Sequence, residues 1–338
     1  MKMKMILIDS GTTNSRLRLV DKSQNEVIDI LKIKVGVRNT AIEGNNNNLK
    51  KQLTKGINAL LTNNNLNANS ISYIVASGMI TSNLGIYEVP HILSPASLQD
   101  FVKHSVVVNL NDFYNIPCIF VPGMTNNVPD DNKGFLDILN DHDVMRGEEV
   151  ESFGLLKQID VQGSGLIVLP GSHTKYVIVD EHKSLTSSIS TLGGEVLQAL
   201  QKETILSNSL DSSLVQEVNT DMLKKGFEST RKYGLTRTLY HIRLIDLFSE
   251  LSKNDRANYF VGAILHDDIK TLSDSIKDAN LQWIIVGGSN PLREAFVHLL
   301  SAISIAKEVI EATDEQVEHS LVEGARDIAS EYITLHTK

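Results

Sequence analysis

One cysteine and one tryptophan stand in 338 residues. A lone Cys118 rules out an internal disulfide and a thiolate-rich zinc site, and its setting between Pro117 and an Ile-Phe-Val run marks it as a small buried hydrophobe, not a nucleophile. Trp283 reads as core. Positive charge is also short. The 32 Lys and Arg face 41 Asp and Glu, a net charge of −9, which leaves no electrostatic footprint for nucleic acid or an anionic membrane. No apolar run approaches the roughly 18 residues of a membrane span, and the apolar start of "MKMKMILID" is stopped by Asp9, too early for a secretion signal. The ten histidines show no metal-ligand spacing. These absences point to a cytoplasmic chain acting on a small molecule, with a homo-oligomer left open. Its length calls for two cores.

What is present is a repeated strand pattern. "MILID", "SRLRLVD" with Leu17 and Leu19 alternating against Arg16 and Arg18, and "EVIDILKIKV" read as three strands joined by tight turns. Leu49, Leu53, Ile57, Leu60 and Leu61 then fall at helical spacing between two asparagine runs. "ISYIVASGM" and "IPCIFVPGM" read as buried central strands whose ends open at the edge where α/β sheets bind ligands. A polar crossover follows over 125–143, and "DVMRGEEVESFGLL" is helix-like. "GLIVLPGSHTKYVIVDEHKSLTSSIST" then repeats the opening: apolar strand, Gly-centred turn with hydroxyls, apolar strand ending in Asp, charged turn, third strand. Gly11 to Asp21 spans ten positions and Gly171 to Asp180 nine, an internal duplication. "LQWIIVGGSN" is a strand running into Gly287 and Gly288, with Asn290 as cap and Pro291 in the first turn of the next helix. "VEGARDIASEYITLH" closes as an amphipathic helix.

A turn rich in Gly, Ser and Thr after a strand offers backbone N–H groups and hydroxyls to a phosphate. Two such turns on duplicated units can hold the β- and γ-phosphates of a nucleotide from opposite sides. Asp9 ends the first strand beside one of them, and a carboxylate there calls for Mg²⁺ held through waters. Phosphoryl transfer to an alcohol also needs a base and positive charge for an acidic substrate. "DVMRGEEVE" supplies Asp143, Arg146, Glu148, Glu149 and Glu151. On a helix Glu148 and Glu151 share a face that Glu149 leaves, while Arg146 reads either as an ion-pair partner or as a fork for a substrate carboxylate. His173 and Lys175 flank the second turn.

Two hairpin turns of this kind and a late Gly-Gly turn resemble the actin/hexokinase/Hsp70 superfamily. "IDSGTTNSRLRLV", "SGMITSNLGIYEVP", "VPGM", "DVMRGEEVESFGLL", "VLPGSHTKYVIV", "TLGGE" and "IIVGGSNPLREAF" follow in the order of the 2-dehydro-3-deoxygalactonokinases. The resemblance covers nearly the whole chain and implies an α/β fold: two RNase H-like domains, duplicated βββαβα units, about an interdomain cleft. Residues 1–130 would carry the substrate and first phosphate turn. Residues 131–338 would carry the second phosphate turn and the adenosine site, with the last helix packing back toward the first domain. The implied activity is ATP-dependent phosphorylation of the terminal hydroxyl of 2-dehydro-3-deoxy-D-galactonate, with Mg²⁺.

By the same resemblance, Asp9, Gly11, Thr12, Thr13 and Asn14 form the first phosphate site. Gly171, Ser172, His173 and Thr174, with Lys175, form the second, and Gly287, Gly288 and Ser289 face the adenosine. Glu148 is the expected base and Asp143 its reserve. Arg146 or Arg16 would take the substrate carboxylate, and Gly78 and Met79 its hydroxyls. After "SGM" the family usually carries Arg-Gln-Gly-Trp, whereas here Asn83 begins the run Asn-Leu-Gly-Ile, in a segment expected to line the sugar pocket, so another sugar acid is an alternative substrate. Two rivals stand beside the kinase: a phosphohydrolase like the exopolyphosphatases, which begin with a similar run, and a non-catalytic nucleotide or sugar-acid sensor.

Overall fold

The computed structural model describes residues 4–23, 26–129, 134–276 and 280–336. The first three residues and part of the expected crossover, 130–133, lie outside them. The chain forms two compact units, one running to Asp160 and including Ser184–Ser187 and Glu318 onward, the other made of Val161–Lys183 and Ser188–Val317. The boundary expected at 130/131 is therefore corrected. Residues 134–160 belong to the first unit: Val144 and Met145 pair with Thr125 and Met124, and a Cβ on Gly154 of the helix that opens at Glu148 would meet the Ser320 carbonyl oxygen in the chain's last helix.

In the first unit the strands β1 (Lys4–Ser10), β2 (Ser15–Asp21) and β3 (Glu26–Ile33) are followed by the helices α1 (Val37–Glu43) and α2 (Asn47–Asn63). After β4 (Ile71–Gly78) come β5 (Ile92–Leu93), α3 (Leu98–His104), β6 (Val106–Asn109), β7 (Pro117–Phe120), β8 (Met124–Thr125), β9 (Val144–Met145) and α4 (Glu148–Gln158). The main sheet has the order β3-β2-β1-β4-β7-β6, and β5, β8 and β9 form a small separate sheet. β1 is antiparallel to β2 and parallel to β4.

Strand alternation decides which face is core. Ile6, Ile8, Leu17 and Leu19 pack with Leu49, Leu53 and Ile57 of α2 in one buried cluster, as their spacing requires. The opposite face pairs Leu7 with Arg18 and Asp9 with Arg16. The expected helix over "DVMRGEEVESFGLL" is split: Val144–Met145 is strand, and α4 starts at Glu148 after Gly147, whose φ is 112°.

The second unit repeats the plan with β10 (Gly165–Leu169), β11 (Thr174–Val179) and β12 (Leu185–Thr191). Then come the helices α5 (Gly193–Glu203), α6 (Thr220–Tyr233), α7 (Leu235–Phe248) and α8 (Lys253–Ser275), the strand β13 (Trp283–Val286), α9 (Leu292–Ile303), β14 (Glu308–Glu311) and α10 (Asp314–His336). The sheet order is β12-β11-β10-β13-β14, with β10 antiparallel to β11 and parallel to β13. In each unit the strand that leads into the Gly-centred turn thus lies between its hairpin partner and a parallel strand. That is the duplication read from the sequence.

Trp283 and Cys118 are both buried as expected, and burial pushes the Cys118 thiol far up. Pro291 occupies the cap of α9 rather than its first turn, while the Asn290 side chain accepts from the Glu294 N–H at 3.2 Å. Among the described residues no helix is long and apolar enough to cross a membrane.

Candidate functional site

The first turn is held by a close backbone approach. Gly11 N–H donates to the Asn14 carbonyl at 2.8 Å, and Val37 and Arg38 donate to the carbonyls of Gly11 and Thr12 at 3.3 and 2.9 Å. A Cβ on Gly36 would lie 2.5 Å from both of those carbonyl oxygens, so only glycine lets this segment dock. With the carbonyls taken, Thr12, Thr13 and Asn14 are left on the exposed side. Beneath them Ser10 and Ser15 share a 2.7 Å hydroxyl contact, and Ser15 donates to the Val35 carbonyl.

Asp9 ends β1 among charges. Burial raises its proton affinity, Arg18 and Arg16 oppose that, and Glu148 adds to it. Gly78, at φ 79°, brings its Cα beside this carboxylate: a Cβ there would meet Asp9 Oδ1 at 3.2 Å, and one on Gly147 would meet Gly78 Cα at 2.9 Å. Gly78 therefore lies against both the Asp9 carboxylate and Gly147, the residue before Glu148. The Glu148 carboxylate accepts from the Arg146 backbone N–H at 3.0 Å.

Glu151, one turn along α4, is pushed up to about 7, first by burial and then by Glu148 and Asp9, against Arg18 and Arg16. Glu149 points elsewhere and is fully buried. It accepts the Met124 N–H at 2.7 Å and the Gly147 N–H at 2.5 Å, and burial pushes it too up to about 7. It ties β8 to the start of α4 and is a structural carboxylate.

Arg18, which the alternation of "SRLRL" left as an outward polar position, is 4% exposed. Its Nε and Nη1 are buried with no hydrogen-bond partner, and Asp9, Glu151 and Glu318 of α10 are the acids that face it. Arg16 keeps the expected place opposite Asp9 and is exposed. Arg146 has its guanidinium engaged by protein groups. Its Nη1 donates to the Thr81 carbonyl and hydroxyl, both at 2.7 Å, and its Nη2 to the Val89 carbonyl at 3.1 Å and to the His91 ring. Burial and that guanidinium push His91 down to about 4, so the ring is neutral and accepts.

Asp143 is likewise outside the group. Its Oδ1 takes the Val144 N–H at 2.6 Å, and its carbonyl takes the Asn126 N–H at 3.0 Å. Met79 follows Gly78 into a short 3-10 turn, and Asn83 is exposed beyond it.

In the second unit Gly171, Ser172 and His173 are exposed at the end of β10. Gly194 sits against them. A Cβ there would lie 1.9 Å from the Gly171 carbonyl oxygen, and Glu195 N–H donates to the Ser172 carbonyl at 2.9 Å. His173 Nε2 meets Glu195 Oε1 at 3.2 Å. Lys175 turns inward: it is buried, and its ammonium donates to Ser190 Oγ at 2.5 Å, which braces the hairpin. Because β13 runs parallel beside β10, Gly287 and Gly288 reach the same edge. Gly287 N–H donates to the Val168 carbonyl at 2.8 Å, and Gly288, at φ 71°, leaves no room for a Cβ against the Pro170 carbonyl. Arg293 holds the turn with Nη1 on the Gly288 carbonyl and pairs with Glu311 and Asp314. Ser289 is exposed.

Among the described residues no three His, Cys, Asp or Glu side chains converge as metal ligands. Asp9 stands as a single carboxylate at a turn of backbone donors. That suits a cation carried mainly by phosphates and water, as Mg²⁺ is, and not one caged by protein.

Comparison with known proteins follows this geometry. A structure assigned as a 2-dehydro-3-deoxygalactonokinase of Sinorhizobium meliloti is similar over 97% of this chain and 96% of that one, with TM-score 0.72 and 18% identity, which establishes the fold. The component A of (R)-2-hydroxyglutaryl-CoA dehydratase from Acidaminococcus fermentans is similar at TM-score 0.50 and 10% identity over 98% and 99% of the two chains. No curated protein resembles the sequence closely enough to count as a relative. The model of the 2-keto-3-deoxy-galactonokinase family matches residues 9–323, from the carboxylate that ends β1 to the middle of α10. The chain belongs to that family and is a sugar-acid kinase, a phosphotransferase with an α/β two-domain kinase fold.

Proposed function

We propose that this kinase transfers the γ-phosphate of ATP to the terminal hydroxyl of 2-dehydro-3-deoxy-D-galactonate, with Glu148 as base. The observation that carries the residue assignment is the packing of Gly78 against Asp9 and Gly147, with Glu148 felt by Asp9, which supports one carboxylate at a phosphate turn and a second near it on a helix start. Glu149 is set aside because both of its oxygens accept backbone N–H groups, and Asp143 ranks behind Glu148 because Glu148, not Asp143, is the acid felt by Asp9 and Glu151. Arg16, exposed opposite Asp9, takes the role of holding the substrate carboxylate, since Arg146 is occupied. Gly78 and Met79 offer main-chain groups to the substrate hydroxyls. Gly11 to Asn14 and Gly171 to Thr174 receive the nucleotide phosphates, with Gly287, Gly288 and Ser289 toward the adenosine.

Asp9 would hold Mg²⁺, and bound there the ion neutralises charge on the phosphates. Glu148 orients the acceptor hydroxyl and takes its proton, while the hydroxyls and N–H groups of the turns fix the phosphates for in-line transfer. A cytoplasmic location, where ATP is supplied, fits this reading.

The test is ATP consumption by the purified protein with 2-dehydro-3-deoxy-D-galactonate, with its gluconate epimer, and with water alone. Turnover on the galactonate acid is expected. Turnover only on the epimer would assign the run from Asn83 to a different sugar acid, ATP loss in water alone would favour a phosphohydrolase, and binding without turnover a sensor.

A further inference from the structure

Behind the second turn lies a carboxylate in a helix that carries no motif. Asp268, in α8, is 7% exposed, and its Oδ2 has no hydrogen-bond partner. It presses on the first residue of α5: a Cβ on Gly193 would lie 2.2 Å from that oxygen. The next residue, Gly194, presses in turn on Gly171, where a Cβ would lie 1.9 Å from the carbonyl oxygen. The hydroxyls of Thr174 and Thr191 also face the carboxylate, and Thr174 is where the turn becomes β11. Two lines of contact therefore run from Asp268 to residues 171–174, one through the start of α5 and one through Thr174.

The other titratable groups that face Asp268 are Tyr176 of β11 and Asp267 of its own helix, and neither is a cation. An unpaired buried carboxylate is costly. Here it lies at a helix start, where backbone N–H groups and the helix dipole favour an anion.

We propose that Asp268 is a positioning residue for the nucleotide: ionised, it fixes the start of α5 and the Thr174 hydroxyl so that the turn 171–174 keeps its phosphate-binding shape. The proposal rests on the reading of that turn as a phosphate site. Asp268 touches no phosphate itself. Burial and Asp267 push its carboxyl up to about 6, against the two threonine hydroxyls, so the grip on nucleotide weakens as the pH falls through that value.

The experiment measures binding of a fluorescent trinitrophenyl-ATP to the wild-type protein and to Asp268→Asn at pH 7.5 and pH 5. Protonation of the nucleotide is common to both proteins, so the ratio of their affinities isolates Asp268. At pH 7.5 the variant should bind about tenfold more weakly, the scale on which misplacing a binding group acts, and at pH 5 the two should converge, with KM for the sugar acid unchanged. A ratio that stays the same at both pH values would show a merely structural role and overturn the proposal, as would a ratio of one throughout. Absence of nucleotide binding by the wild-type protein would overturn the reading of the turn, and this proposal with it. Should Asp268→Asn fail to fold, Gly193→Ala puts a Cβ against the carboxylate at the start of α5 and keeps the charge. Weaker binding at pH 7.5 is then expected, and unchanged binding overturns the idea.

Discussion

The two Gly-centred turns stand on the same three-strand scaffold and differ in their charge. Around the first lie Asp9, Arg16, Arg18, Glu148, Glu151 and Glu318, acids and guanidinia within electrostatic reach of one another. Around the second, hydroxyls and backbone groups dominate, with the buried Asp268 behind. A duplicated scaffold has thus diverged in the side chains around its turns, charged at the first and largely uncharged at the second. The difference shows why neither turn alone would identify the reaction: each has the backbone shape, and only the side chains around it differ.

The sharpest way to break the comparison is on the charged side. Glu148→Gln should lower kcat by about 10²-fold or more, the usual scale for a general base, with nucleotide affinity unchanged in the same preparation. A kcat within a fewfold of wild type would remove Glu148 from the chemistry. On the phosphate side, Gly194→Ala should raise KM for ATP by about tenfold, because its Cβ would displace the Gly171 carbonyl, and it should leave KM for the sugar acid alone. If both constants rose together, the second turn would not act on the nucleotide alone.

Arg18→Met offers a subtler contrast. A buried guanidinium whose Nε and Nη1 find no hydrogen-bond partner recovers little of its desolvation cost from the acids around it, so the melting temperature should hold or rise. The loss of its field should leave Asp9 and Glu151 harder to ionise and depress kcat at neutral pH, with partial recovery in alkaline buffer. Loss of stability and no shift of the pH profile would make Arg18 a packing residue.

The smallest effect is a slope. Glu151 is pushed up to about 7 from an ordinary value of 4.5, so between those values the folded protein holds a proton that the unfolded chain has lost. Its contribution to stability is full below 4.5 and gone above 7. The melting temperature of wild type relative to Glu151→Gln should therefore fall between pH 5 and pH 8, and a pH-independent gap would contradict the raised value.

Much of this was legible in the sequence because it is local. The turns, the duplication, the late Gly-Gly turn and the shared face of Glu148 and Glu151 all depend on neighbours a few residues away. Arg146 could not be read correctly because its acceptors are carbonyls at Thr81 and Val89, 65 and 57 residues distant. A backbone oxygen leaves no mark on composition. Arg18 sat in a clean alternation, and nothing in "SRLRL" says that acids from α4 and α10 will face it. Asp268 lies in a helix whose sequence carries no motif, so its relation to a turn nearly a hundred residues earlier appears only in space. The unit boundary moved for the same reason. Residues 134–160 look like a bridge until α4 meets the end of the chain.

That meeting ties an early helix to a late one. A Cβ on Gly154 of α4 would lie 1.7 Å from the Ser320 carbonyl oxygen, and one on Gly324 of α10 would lie 1.9 Å from that of Val150. The two helices thus lie backbone to backbone, fitted through residues more than 160 positions apart. During synthesis the helix that carries Glu148 and Glu151 is made long before its neighbour, so the close fit between the two cannot form until α10 has emerged.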